Sequence, residues 1–289
     1  MLLGMPPQRR HLATTLTLFV GVVACHRPLS SIPAPAPSVA SAPTRALVML
    51  RNNWRATATM QRLDSLVLTL PDGSQQVQRA GRLARFTIEV GANNAFTATL
   101  DTVALQPPAD AAVAAAIGVR WTGTLTGAGR LEGVKISRSS ALGDDLTSMV
   151  RSLIPPVPFG GVAVGRAWKD TTSGAAQVGV FQLNERRVRS WAAGERIERN
   201  GIGVYPVRVR EEFEQLGRGS QAGREMKLTA QGSRTGSYYV TIDGRVDGAV
   251  LEDSVAQFIT IPATRQTIPT MRYSRTTLRF STSLRGSRP

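Results

Sequence analysis

The sequence predicts a mainly β protein: a large twisted antiparallel sheet or half-barrel with one amphipathic helix, at about residues 140–154, packed on it. Three observations predict this. From residue 46 onward, apolar and polar residues alternate with period two in short runs. Clusters of Gly, Pro and Asp separate those runs as turns would. Only one mid-chain stretch carries a sustained helical period.

The chain has 289 residues and 42% hydrophobic content, enough for a core. Lys plus Arg number 35 against 20 Asp plus Glu, and only Lys135, Lys169 and Lys227 are lysines. The formal net charge is +15. Cys25 is the sole cysteine, and His11 and His26 are the sole histidines. This excludes a disulfide framework within one chain, a Cys/His zinc site and a His-based triad in the body of the protein.

Residues 1–24 read as a secretory signal. Arg9 and Arg10 supply a positive start, and residues 12–24 carry no charge. As a helix that stretch spans ~20 Å, too short for a hydrocarbon core of about 30 Å. It ends in Val22-Val23-Ala24-Cys25, which resembles the lipobox of bacterial lipoproteins. The resemblance implies cleavage before Cys25 and lipidation of Cys25 as the first mature residue, with acyl chains such as palmitate anchoring the chain in a membrane. His26 follows it, where an Asp would resemble an inner-membrane retention signal. The expected location is therefore the outer membrane, facing the periplasm. Residues 25–45 form the lipidated Cys and a Pro/Ala/Ser tether. Extended as polyproline II, its 27–44 stretch reaches on the order of 55 Å.

The domain proper is 46–289. Residues 66–70 alternate and run into the turn Pro71-Asp72-Gly73-Ser74. Residues 85–90 place Phe86, Ile88 and Val90 on one face. Residues 96–100 and 119–125 follow the same rule. Later strands are expected at 204–213, 225–230, 238–242, 255–261 and 272–284. One apolar and one polar face mark an antiparallel sheet with one wet side. Residues 109–117 are a short Ala-rich helix signal. In 140–154, Leu142, Leu146, Met149, Val150 and Leu153 share one face, and Asp144 and Asp145 sit near the positive end of the dipole. Pro155-Pro156 stops the helix. The strands then either divide into halves, 46–154 and 155–289, or form one continuous sheet.

One further element, Val162-x-Val164-Gly165-x-x-Trp168 following Pro155, Pro156 and Pro158, resembles a group of uncharacterised bacterial envelope lipoproteins. The resemblance implies an antiparallel half-barrel like that of lipoprotein carriers and brings no catalytic residues with it. Gly165 is expected to turn the chain and Trp168 to anchor under the sheet.

The search for catalytic chemistry finds little. Gly217-x-Gly219-x-x-Ala222 has the form of a dinucleotide fingerprint, but a strand pattern follows it where a helix is required. Glu211 and Glu212 point to opposite faces of a strand. Glu212 and Glu214 share a face with Arg208 and Arg210, and a solvated ladder accounts for them. Asp243-Gly244-Arg245-Val246-Asp247-Gly248 lacks the acidic ligands of a calcium loop. The chain is not expected to be an enzyme, and no cofactor or metal is expected.

The arginine excess remains. Its densest run holds Arg186, Arg187 and Arg189, candidates for binding an anion. Nucleic acid is not an expected partner, because no recognition motif accompanies the charge. Lipid headgroups or acidic envelope polymers fit better. Two functions follow. One is a binding module for a lipid or other hydrophobic or anionic ligand, with Phe86, Ile88, Phe96, Trp121, Met149 and Phe258 as candidate lining residues. The other is a structural envelope protein with a solid core, acting through protein or cell-wall polymer contacts. An apolar hollow above roughly 300 Å³ would mark the former.

Overall fold

A computed structural model describes residues 46–281, apart from Pro71 and Gly179. The signal sequence, Cys25 and the tether lie outside the described residues. The elements run β1 (Leu47–Val48), β2 (Trp54–Thr69), β3 (Gln75–Val90), β4 (Ala95–Gln106), α1 (Asp110–Ala116), β5 (Arg120–Leu125), β6 (Leu131–Ile136) and α2 (Ala141–Val150). After α2 come β7 (Val162–Ala163), β8 (Ala167–Val178), β9 (Phe181–Ala193), β10 (Ile197–Arg199), β11 (Ile202–Gln221), β12 (Arg224–Thr241), β13 (Val246–Ile261) and β14 (Gln266–Ser281).

Twelve strands make one open antiparallel sheet in the order β6-β5-β4-β3-β2-β14-β13-β12-β11-β9-β8, with β10 beside β11. The chain builds one edge first, crosses through α2 to the other edge, and meanders back. β14 then pairs with β2, from Thr270 opposite Leu68 to Ser281 opposite Thr57. That single pairing joins both blocks of strands into one surface. β1 and β7 form a separate two-stranded ribbon. No helix among the described residues is long and apolar enough to cross a membrane.

The strands are longer than the sequence predicts. Residues 225–230 and 238–242, expected as two strands, are parts of the single strand β12. Gly232, Ser233 and Gly236 read as a turn in isolation, but neighbours pair with that stretch on both sides and hold it extended. Gly232 also has a packing role. Its missing Cβ leaves room for the Phe213 ring, which lies against it from β11.

The helix starts as predicted. Ser140 caps it, its Oγ accepting from the Gly143 N–H at 3.1 Å. It ends at Val150, one turn before the predicted residue 154. The chain continues as a strap that buries Leu153, Ile154 and Val157 in the core. The Tyr238 hydroxyl donates to the Ser152 carbonyl at 2.8 Å, tying this strap to β12. Gly129 (φ +73°) lies so close to the Val157 backbone that no Cβ fits between them. At α1, Arg138 donates to the carbonyls of Ala115 (2.9 Å) and Ile117 (3.0 Å), satisfying groups the helix end leaves open.

The main core lies between α2, the strap and the concave face of the sheet. Phe86 and Trp121 meet edge-to-face at 6.0 Å, and the Trp121 Nε1–H donates to Thr147 Oγ1 on α2 at 2.8 Å. Phe86, Ile88, Phe96, Leu100 and Leu146 are fully buried, each contributing roughly 1.5–3 kcal/mol of apolar burial.

Candidate functional site

The concave face has three zones. The first is the core just described. The third, at the far ends of β9, β11, β12 and β13, is a separate apolar cluster of Phe181, Leu183, Phe213, Met226, Leu228, Ala230 and Val255, flanked by half-buried Ile259 and Ile261. Between them runs a belt of arginines and carboxylates, because each long strand places a charged residue at an inward position in mid-length.

At the β8 side, Asp170 Oδ2 lies 3.6 Å from Arg130 Nε and 3.8 Å from Arg189 Nη1. Arg189 Nε donates to Glu211 Oε2 at 2.7 Å, and Arg187 holds Glu211 Oε1. Arg187 also grips both oxygens of Glu185, to which Gln215 Nε2 donates at 2.5 Å. The Arg187 guanidinium lies 4.9 Å over the Phe213 ring, where the belt meets the far cluster. Further along, Arg234 Nε donates to Asp253 Oδ1 at 2.5 Å. Arg62 takes Asp64 with Nε at 2.9 and 3.1 Å and sends Nη2 to Ser274 Oγ at 2.9 Å. Arg82 pairs with Asp145 of α2.

Glu211 is 2% exposed. Burial alone would push its carboxyl up, but Arg234, Arg187 and Arg189 outweigh that and hold its pKa below the ordinary glutamate value. Glu185 is lowered in the same way, with Arg187 overcoming burial. Burial pushes Tyr238 up to about 12.

One belt residue differs. Among the described residues Arg272 has no carboxylate oxygen within 4.0 Å, and its buried Nε makes no hydrogen bond. It faces inward on β14 with Val255 opposite it on β13 and Leu66 opposite it on β2. Burial, then the neighbouring Arg62, pulls its pKa below the ordinary guanidinium value.

The residues singled out from the sequence fall in different places. Phe86, Ile88, Phe96, Trp121 and Met149 come together, buried in the main core. They fill that space; they do not line a hollow, because α2 and the strap plug it. Phe258 stands apart at 48% exposure, since its place on β13 points to the convex face. Arg187 and Arg189 point inward and are already paired, whereas Arg186, just before Arg187, is exposed on the other face. Gly165 (φ +82°) turns the chain, and Trp168 stacks on Trp191 at 6.2 Å. Gly217 and Gly219 lie within β11, which continues to Gln221. The sequence does not single out Arg62 and Arg234, because an isolated charge in a strand reads as outward-facing.

An open cleft of about 740 Å³ lies at the far end of β9, β11 and β12. Leu183 and Leu228 border it from the inner face, whereas Leu216, Arg218 and Lys227 stand on the opposite, exposed face, with Arg218 directly opposite Lys227 across β11 and β12. Among the described residues, no cluster of three His, Cys, Asp or Glu side chains is arranged for a metal ion.

Fold and site together define an open antiparallel β-sheet with a charged concave belt. No family model matches the chain, and no curated protein matches it. Among solved structures, an outer membrane channel from Pseudomonas putida F1 is similar at 10% identity, over 81% of this chain and 98% of that one, with a TM-score of 0.25. A LolA superfamily protein from Nitrosomonas europaea is similar at 10% identity, over 81% of this chain and 86% of that one, with a TM-score of 0.17. Scores this low assign neither a fold nor a function to this chain.

Proposed function

We propose that the chain is a non-enzymatic binding module of the bacterial envelope, anchored by lipid on Cys25, that takes a ligand with an apolar body and an anionic group. The observation that carries this reading is the far apolar zone. Its members all come from strands, and it adjoins a belt rich in arginine. The lipobox-like Val22-Val23-Ala24-Cys25 supports the anchor, and His26 supports the outer membrane over the inner. The filled main core favours a second reading, a structural envelope protein acting through protein or polymer contacts.

Native mass spectrometry of the full chain, extracted from bacterial membranes in mild detergent, separates the two. A lipid-sized adduct released by organic solvent supports the binding module. A bare mass, with no uptake of a fluorescent fatty acid, overturns it in favour of the structural reading. Cys25→Ala is expected to move the protein from the membrane to the soluble fraction; retention in the membrane would remove the anchor from the proposal.

A further inference from the structure

The charges around β14 do not balance. Arg62, Arg234 and Arg272 face Asp64 and Asp253, and both carboxylates are already taken. Arg62 closes on Asp64, whose Oδ1 also accepts from Ser274 Oγ at 2.5 Å. Arg234 closes on Asp253, with Arg62 Nη1 at 3.8 Å as its second cation. Arg272 is left over. A partly buried guanidinium with a bare Nε is costly to fold around. Its cost is recovered when a mobile anion completes the set. The surroundings specify the rest of that anion's molecule. Val255 and Leu66 flank Arg272 across the strands, Leu68 follows Leu66 on β2, and Ile268 and Ile259 form the next apolar pair on the same face, beyond Thr270 and Gln257. Apart from buried Val255, these apolar residues are half-buried, so a chain laid on them would gain apolar burial.

The structure assigns Arg272 as the anchor for the headgroup of a single-chain amphiphile bearing one negative charge, its tail lying along Leu66, Leu68, Ile259 and Ile268. This rests on the binding-module reading and names the residue and the ligand class for it. A fatty acid carboxylate and a lysophospholipid phosphodiester share this chemistry.

The test titrates the full chain carrying Cys25→Ala, which is expected in the soluble fraction, in detergent-free buffer with laurate, lysophosphatidylglycerol and uncharged dodecanol, followed by calorimetry. In Arg272→Met, affinity for the anionic ligands is expected to fall about tenfold or more, with dodecanol unchanged within twofold. Arg272→Lys is expected to keep most of the anionic affinity. A response to laurate alone, or to the lysophospholipid alone, identifies the source of the headgroup. If Arg272→Met binds both anions as tightly as the native chain, the anchor is overturned and the binding-module reading survives. If both variants lose dodecanol as strongly as laurate while melting like the native chain, charge is not what Arg272 supplies, and the anchor is again overturned. If the native chain binds none of the three, the amphiphile reading falls together with the anchor.

Discussion

Arg189 Nε donates to Glu211 Oε2 at 2.7 Å, while Arg187 holds the other oxygen of the same carboxylate. Glu211 is therefore the hub of one half of the belt, binding two arginines on β9 to β11 with almost no water access. Breaking a buried pair by removing one partner is far costlier than replacing both with apolar groups.

Glu211→Gln keeps the shape and removes the charge, leaving Arg187, Arg189 and Arg234 without their shared counter-ion. The expected loss is about 3 kcal/mol of unfolding free energy. Urea titration at pH 7 checks it, and a change below 1 kcal/mol would show that water enters the belt freely.

Glu211 and Glu185 also set an acid limit. Their folded-state pKa values lie below the ordinary 4.5, so the stability they contribute is fully present above pH 4.5. It is lost as pH falls through their lowered folded values. Stability is expected to stay level in this respect from pH 7 to 5 and to drop below 4.5. In Glu211→Gln that drop is shallower; an identical acid profile would rule out Glu211 as a source of it.

Gly232→Ala places a methyl group in the Phe213 ring. The expected destabilisation is about 1–3 kcal/mol from overpacking. Phe213→Ala alone also destabilises, but in the double variant the two losses should not add, because the clash disappears with the ring. Strict additivity in a double-mutant cycle would deny the contact.

Leu146→Ala and Phe258→Ala contrast the two faces. Leu146 is fully buried on α2 and its truncation is expected to cost about 2–5 kcal/mol. Phe258 is half-exposed on the convex face, and its truncation should stay near 0.5 kcal/mol. Melting temperatures rank them; equal shifts would contradict the assigned faces.

Lys227→Glu puts an acid opposite Arg218 in place of a like charge. A gain of roughly 0.5 kcal/mol at low salt is expected, shrinking as salt rises. A loss would mean the two cations are held apart by the cleft and do not repel.

Much of the fold was legible because strand alternation is local. Phe86, Ile88 and Val90 announce their shared face without reference to any partner, and Leu142, Leu146 and Met149 announce the buried side of α2. Ser140 at the helix start and Gly165 at a turn are equally local. The strand lengths were not legible, because the belt residues interrupt the apolar alternation where the strands continue. Arg62 and Asp64 in β2, Arg234 in β12 and Asp253 in β13 each stand at an inward position that a sequence reading gives to solvent.

The sequence by itself thus determined the antiparallel β class, the amphipathic helix that starts after residue 140 and which residues of each short strand share a face. Only the tertiary structure decided that Phe86 and Trp121 fill a solid core, that Arg187 and Arg189 are consumed by Glu211, and that Arg272 is left without a partner. The physical reason is register. A charge on a strand becomes a partnered or an orphaned group only when neighbouring strands, tens to hundreds of residues away in the chain, are set beside it.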